Sequence, residues 1–333
     1  MNYTIKKEDV PKFLDFLRKE FEVIAPVKEW QEQPRFDVYT GQGLFLEART
    51  VFSPKRFFRP AREKIFSFEK KKGSYEVKAE VDSTKRVFFG VRPCDTHALD
   101  VLDELFIRYF GEDRFYSSRR KNSIIIALQC LESCETGFCT SMGTSQAKSP
   151  DLVFFERGPD YFVQVVTSQG KKLAENSFFR VTKDAAPTAS ITNKIDLDTN
   201  DLGKNLYSEF TNSVWEEESE RCLSCSSCTQ ICPTCYCYTT EDDFVFGSQT
   251  RSERHRLLDS CQLKKFTKVA GNHVFRESRA SRLRQFVLHK LSYFEENHGK
   301  QLCVGCGRCI EACPVNISLV DIANKIQGEV AQK

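Results

Sequence analysis

Residues 8–21 (EDVPKFLDFLRKEF) set Val10, Phe13, Leu14, Leu17 and Phe21 at i, i+3, i+4, i+7 and i+11, which gathers them on one stripe of a helix facing a core. From 35 to 90 short β-like runs alternate with basic and Gly/Pro breaks such as SPKRFFRPAREK, the pattern of strands and loops in an α+β domain. A short apolar strand over 87–91 (VFFGV) runs into Arg92, Pro93, Cys94 and Asp95. Asp95 is a suitable N-cap for a helix with Leu99, Leu102, Leu105, Phe106 and Tyr109 along one side. After the polar break SSRRKNS comes a second buried strand, Ile124 to Leu128, and then Cys130. Strand, helix, strand predicts a βαβ unit with parallel strands. Runs at 152–155 and 161–166, separated by ERGPD, predict a hairpin. The chain turns polar over about 186–213, then helical again at 276–294 with Leu283, Val287 and Leu291 on one face. The expected architecture is an α+β domain over 1–205, with a mixed sheet including the βαβ unit, followed by an α-helical ferredoxin (dicluster) domain over 206–333.

Length allows those two domains, since 333 residues and 38.4 kDa suffice for two cores. A net charge of +3 favours no class of partner. No apolar stretch approaches the ~20 residues that span a bilayer, and the start, MNYTIKKEDV, lacks the apolar centre of a secretion signal. A cytoplasmic protein is expected. Fifteen cysteines then change the picture, because disulfides are improbable in a reducing compartment and metal binding is the usual alternative. Cluster sulfur is oxygen-sensitive, which points to an anaerobic host.

The thiols carry a pattern. Cys222, Cys225, Cys228 and Cys232 spell C-x-x-C-x-x-C-x-x-x-C, as do Cys303, Cys306, Cys309 and Cys313, and a proline follows each run (Pro233, Pro314). In bacterial ferredoxins with two such runs, the fourth cysteine of each ligates the other cluster. One 4Fe-4S cluster is therefore assigned to Cys222, Cys225, Cys228 and Cys313, and a second to Cys303, Cys306, Cys309 and Cys232. Structural zinc is the competing reading, but it favours two CxxC pairs over three evenly spaced thiols and a fourth. The predicted parallel strands bring Cys94 and Cys130 to the carboxyl edge of a sheet, where ligands bind. With Cys134 and Cys139 they could hold a third 4Fe-4S cluster, the alternative being small buried hydrophobes. Cys235, Cys237 and Cys261 remain, and His273 could complete a further cluster or metal site with them, unless it is an ordinary hydrogen-bonded histidine.

Positions 251–290 hold eleven Lys/Arg against three acids, a net of +8. Nucleic-acid proteins carry such patches, but 4Fe-4S thiolate clusters are anionic and nearby cations raise their potential. Cluster compensation and partner docking are preferred, with no nucleic-acid partner expected. There is no GxGxxG, Walker sequence or nucleophile elbow.

On KRFFRPAREKIFSFE, FFGVRPCDTHALDVLD, FCTSMGT, CLSCSSCTQICPTCYCY, LDSC, AGNHVFRE, RLRQFVLHK and CVGCGRCIEACP, the chain resembles the beta subunit of cytoplasmic sulfhydrogenase, a NiFe-hydrogenase that also reduces sulfur, and the 4Fe-4S dicluster electron-transfer subunit of anaerobic sulfite reductase. The matching segments run from about residue 50 to 320. One departure matters: the family usually has a cysteine where Gly137 stands, and Cys134 appears three residues earlier. The resemblance supports a site at Cys94, Cys130 and Cys139; either Cys134 has taken over as the fourth ligand, or the third cluster is altered or absent. It implies an iron–sulfur subunit relaying electrons between a flavin- and NAD(P)H-binding reductase subunit and a catalytic hydrogenase or sulfite/sulfur reductase subunit. Bond-making is then expected in the partners. The alternative is a catalytic iron–sulfur site of the chain's own, at Cys94, Cys130, Cys134 and Cys139, reducing a small substrate.

Overall fold

The computed structural model describes residues 2–28, 33–188 and 190–332; Ala189, inside the polar stretch, lies outside them. Among the described residues twelve strands form two sheets. They are β1 (Asn2–Lys6), β2 (Glu22–Val27), β3 (Arg35–Val38), β4 (Arg62–Lys71), β5 (Ser74–Lys78), β6 (Arg86–Val91), β7 (Ser123–Leu128), β8 (Leu152–Arg157), β9 (Asp160–Val165), β10 (Arg180–Thr182), β11 (Tyr238–Phe244) and β12 (Arg251–Leu258).

The larger sheet runs β10-β1-β9-β8-β7-β6-β2-β3. It is mixed: β2, β6, β7 and β8 pair in parallel, and the outer strands join antiparallel. Central strands covered on both faces need no polar side, which is why β6 and β7 are unbroken apolar runs. Val87 and Phe89 point into one core with Phe13, Leu14 and Leu17 of α1 (Val10–Leu17). Phe88 and Val91 point into another with Leu99 and Leu102 of α2 (Pro93–Asp103). The expected stripe near the start is buried as expected, although its helix ends at Leu17. Between β6 and β7 in the chain lie α2, a π-helical extension over Glu104–Tyr109, and α3 (Arg114–Lys121).

At Gly90 the pairing of β6 with β7 slips by one residue. The backbone there has φ +76°, and a Cβ would come within 3.0 Å of the Pro26 ring. Such a bulge re-aims the residues after it, here Arg92, Pro93 and Cys94. Asp95 is not the N-cap that the sequence suggested. Arg92 occupies the cap position and Pro93 the first turn, where a missing N–H costs nothing. Asp95 instead accepts two hydrogen bonds from Arg308, 213 residues away: Nη1 to Oδ1 at 2.6 Å and Nη2 to Oδ2 at 2.9 Å, both side chains buried.

A third apolar core gathers Leu197, Leu202, Leu206, Trp215, Val320 and Ile326 with Leu283, Val287 and Leu291 of the helical segment after 276. That segment is α4 (Arg279–Leu288), a π turn over His289–Tyr293 and a short helix to His298; α5 (Leu319–Val330) closes the chain's helical part. The stretch between the two cysteine runs is not chiefly helical. Tyr238–Phe244 and Arg251–Leu258 form a hairpin that adds to β4 and β5 as a four-stranded sheet, β11-β12-β4-β5. Strands there satisfy charged side chains by cross-strand pairing, as between Arg254 and Asp242 at 2.6 Å.

Removing one partner of a buried ion pair strands the other charge, which costs roughly 3–5 kcal/mol. Asp95→Ala should therefore lower the thermal midpoint of the anaerobically purified chain sharply. Asp95→Ala combined with Arg308→Met should recover much of the loss. Equal midpoints for Asp95→Ala and wild type would show that the pair does not hold the two parts together.

Candidate metal centres

The two cysteine runs wind in the same way. Ser224 (φ 51°) and Ser226 (φ 66°) are left-handed in the first, as are Gly305 (φ 64°) and Gly307 (φ 70°) at the equivalent places of the second. In each run the backbone N–H two residues after the first cysteine points at its sulfur, Ser224 N to Cys222 Sγ and Gly305 N to Cys303 Sγ, both at 3.4 Å. Ile317 N approaches Cys313 Sγ at 3.2 Å. N–H groups aimed at sulfur stabilise thiolates and set cluster potentials.

Cys222, Cys225, Cys228 and Cys313 line one cavity, walled by Leu283, Phe286 and Val287 of α4 and touched on its far side by Cys309. Burial pushes the Cys228 thiol up to about 12. Cys225 is exposed, and its thiol is held below the ordinary value by the Ser227 hydroxyl at 3.3 Å. In the second group Cys232 lies within electrostatic reach of Cys303, Cys306 and Cys309. Two buried lysines flank it. Lys290 donates to Thr234 Oγ1 at 2.8 Å, and Lys55 to the carbonyls of Cys232 at 2.6 Å and Cys235 at 3.2 Å.

The third cavity brings together Cys94, Cys130, Cys134 and Cys139, with Arg49, Arg92 and Cys306 also in its wall. Burial raises the Cys130 thiol to about 11. The Cys134–Cys139 loop is pinned to the second cysteine run by Phe138 N to Gly305 O at 2.8 Å, Thr136 Oγ1 to Gly307 O at 3.0 Å and Thr144 Oγ1 to Val304 O at 2.7 Å. No side chain fits between these backbones. A Cβ on Gly305 would lie 2.6 Å from Phe138 O, and one on Gly307 would collide with Thr136 O. A Cβ at position 137 would stand 3.2 Å from Ser133 Oγ and the Cys134 carbonyl oxygen and 3.3 Å from the Cys134 Cβ, so a side chain there would crowd both residues. Arg49 is buried, donates to Thr136 Oγ1 at 3.3 Å and pairs with Glu311, yet its Nε has no protein acceptor. An orphaned N–H in the wall of a thiol-lined cavity suits an acceptor such as an inorganic sulfide.

Of the remaining thiols, Cys235 lies beside Cys232, and Cys237 beside Cys261. His273 is exposed against the Phe275 ring. Among the described residues no three His, Cys, Asp or Glu side chains converge closely enough for a single metal ion. The wider spacing of the thiols around cavities suits a polynuclear group better than mononuclear zinc. Sequence reasoning missed Arg49, Lys55 and Arg308. Only Arg308 carried a signal, since a cation inside a cysteine run must face its sulfurs or something that fixes the loop.

The described helices include none long and apolar enough to cross a membrane. A family model described as a 4Fe-4S dicluster domain matches residues 221–317. The fold and its thiol groups thus define an iron–sulfur electron-transfer protein with a dicluster domain. Sulfhydrogenase 2 subunit beta of Pyrococcus furiosus is 32% identical over 97% of this chain and 97% of its own length, so the chain belongs to the sulfhydrogenase beta-subunit family. F420-dependent formate dehydrogenase subunit beta of Methanocaldococcus jannaschii is 23% identical over 51% of this chain and 39% of its own length. No solved structure matches.

Gly307→Ala should force the Thr136 and Gly307 backbones apart. The expected result is iron loss on purification and faster iodoacetamide labelling of Cys134 and Cys139, read by mass spectrometry. Unchanged labelling would mean that the loop contact is dispensable.

Proposed function

We propose that the chain is the electron-relay subunit of a cytoplasmic complex, between a flavin- and NAD(P)H-binding reductase subunit and a catalytic hydrogenase or sulfite/sulfur reductase subunit. The ligand sets are Cys222, Cys225, Cys228 and Cys313; Cys303, Cys306, Cys309 and Cys232; and Cys94, Cys130, Cys134 and Cys139. 4Fe-4S clusters held there supply one-electron transfer. The observation that carries this reading is that the thiol groups form a row. Cys306, of the second set, borders the third cavity, and Cys309, of the same set, borders the first. The row reaches the surface at both ends, through exposed Cys225 and through a cleft that also touches Cys130 and Cys134. A relay needs two such ends.

The protein's part is to hold sulfur, exclude water and offset charge. Lys290, Lys55, Arg49 and Arg282 bring cations to the thiols or to the loops that carry them. Arg282 is buried and donates to Ser224 Oγ at 3.1 Å. The wider architecture in this proposal is a βαβ unit within the first domain and an α-helical ferredoxin module in the second. The boundary near 205 sits inside the Leu202–Ser208 helix, which packs with the later helices. Cys235, Cys237 and Cys261, with or without His273, are proposed only as a further metal or cluster site.

The cleft favours one second reading. Cys130 and Cys134 face both the third cavity and open solvent, so that site could reduce a small substrate itself. Activity of the isolated chain with an artificial electron donor decides between them: the relay reading expects the chain to be reduced but to turn over no small sulfur substrate.

Anaerobic iron and labile-sulfide analysis should give ~12 iron per chain for three cubes, against ~8 for two. Cys134→Ala should fall to about 8, and Cys134→Ala with Gly137→Cys should regain the difference. An unchanged iron content in Cys134→Ala would remove Cys134 from the ligand set.

A further inference from the structure

Ten of the eleven cations of 251–290 divide by destination. Arg254 pairs with Asp242, Arg256 with Glu63 and Asp113, and Lys264 with Glu277. Arg282 and Lys290 are buried toward the thiols. Lys265, Lys268 and Arg276 have no acidic partner among the described residues. Arg276 lines an open groove with Phe210, Val269, Phe275, Arg284 and Tyr293, and Lys265 and Lys268 are the chain neighbours of Phe266, Thr267 and Val269 in its wall. Its apolar members are left uncovered: Phe275 is 69% exposed, Val269 47% and Phe210 41%.

The groove shares a wall with the first thiol cavity. Leu283, Phe286 and Val287 of α4 face the cavity, while Ser281, Arg284 and Gln285 of the same helix face the groove. One helix diameter, about 10 Å, therefore separates them. We propose that this groove docks an acidic one-electron carrier protein, an apolar side chain of the carrier seating among the aromatics while its carboxylates meet Lys265, Lys268 and Arg276. The inference rests on the relay reading and adds where one carrier binds and of what charge. Complementarity of charge around a small apolar contact is how transient protein complexes gain on-rate and register. A nucleic acid needs a longer track of free cations. Here Arg279 and Arg284 are already engaged, donating to Cys222 O and Phe210 O at 3.0 Å each, with Arg284 over the Phe210 ring at 3.7 Å.

The test uses the full chain purified without oxygen, with a small acidic plant-type [2Fe–2S] ferredoxin as probe and basic cytochrome c as control. Binding is measured with both partners oxidised, and electron exchange by stopped flow. Lys265→Glu/Lys268→Glu/Arg276→Glu should weaken binding and slow exchange with the ferredoxin at least tenfold at low salt, and leave cytochrome c no worse. Wild-type exchange should fall as salt shortens the Debye length below about 10 Å. Phe275→Ala should weaken binding without changing the salt slope. Equal ferredoxin binding by the triple variant and wild type would overturn the proposal. So would salt-steep binding of single-stranded RNA, lost in the triple variant, with ferredoxin indifferent to the charges. A colourless wild type that dithionite cannot reduce would sink the relay reading alone, because the binding arm still reports on the groove.

Discussion

The fold depends on a close backbone seam between the Cys134–Cys139 loop and the Gly305–Gly307 turn. Two hydrogen bonds cross it, Thr144 Oγ1 to Val304 O lies beside them, and the approach is too close for any Cβ at 305 or 307. Such a seam tolerates little displacement, so the Asp95–Arg308 pair beside it has a clear task. Arg308 also donates to Thr50 O at 3.1 Å. One guanidinium thereby ties α2, the loop before Lys55 and the second cysteine run into one piece. A buried ion pair is a poor source of stability but a good source of register, because its alternatives leave a charge unpaired. Register is what neighbouring thiol cavities require.

The seam also concentrates sulfur in a water-poor interior. Desolvation disfavours thiolates, and the upward shifts of Cys94, Cys130, Cys228, Cys303 and Cys309 all have burial as their first cause. Cations answer this unequally. Lys290 faces Cys232, Cys235 and Cys303 and is held charged against its burial. Lys55, whose ammonium is engaged by carbonyls, is pushed downward because burial outweighs the same thiols. Lys290 reaches the group through Thr234 Oγ1, and Lys55 through the carbonyls of the Cys232–Cys235 turn. Their difference follows from what each ammonium touches.

How much of this could be read from the sequence varied with the length scale of the signal. The cysteine runs, the strands over VFFGV and Ile124–Leu128 and the stripe of α1 are local patterns, legible because period and spacing determine them. The β11–β12 hairpin was not legible: TEDDF and RSERHRLL are dense in charge, and their strands are stabilised by pairing with β4 rather than by an apolar face. Asp95 misled for a related reason. An acid one turn into a helix looks like a cap, and only the fold brings Arg308 to it. Arg49 and Lys55 carried no signal, since each reaches its thiols through contacts more than eighty residues away.

The space around position 137 bears on how such a site can change its ligands. A cluster ligand can migrate along a loop only if the new thiol reaches the volume of the old. Cys134 meets that condition, because its Cβ lies 3.3 Å from where a residue-137 Cβ would be. The loop permits it through the turn in which Gly137 N donates to Cys134 O at 2.9 Å, folding position 134 back over 137. A cysteine at 137 would crowd that turn, with the Cys134 carbonyl oxygen at 3.2 Å from its Cβ. Under the proposed ligand set, exchange of the two positions keeps four thiols at this cavity, with Cys134 lining the cleft as well. The third thiol group thus meets solvent through that cleft, as the first does through exposed Cys225.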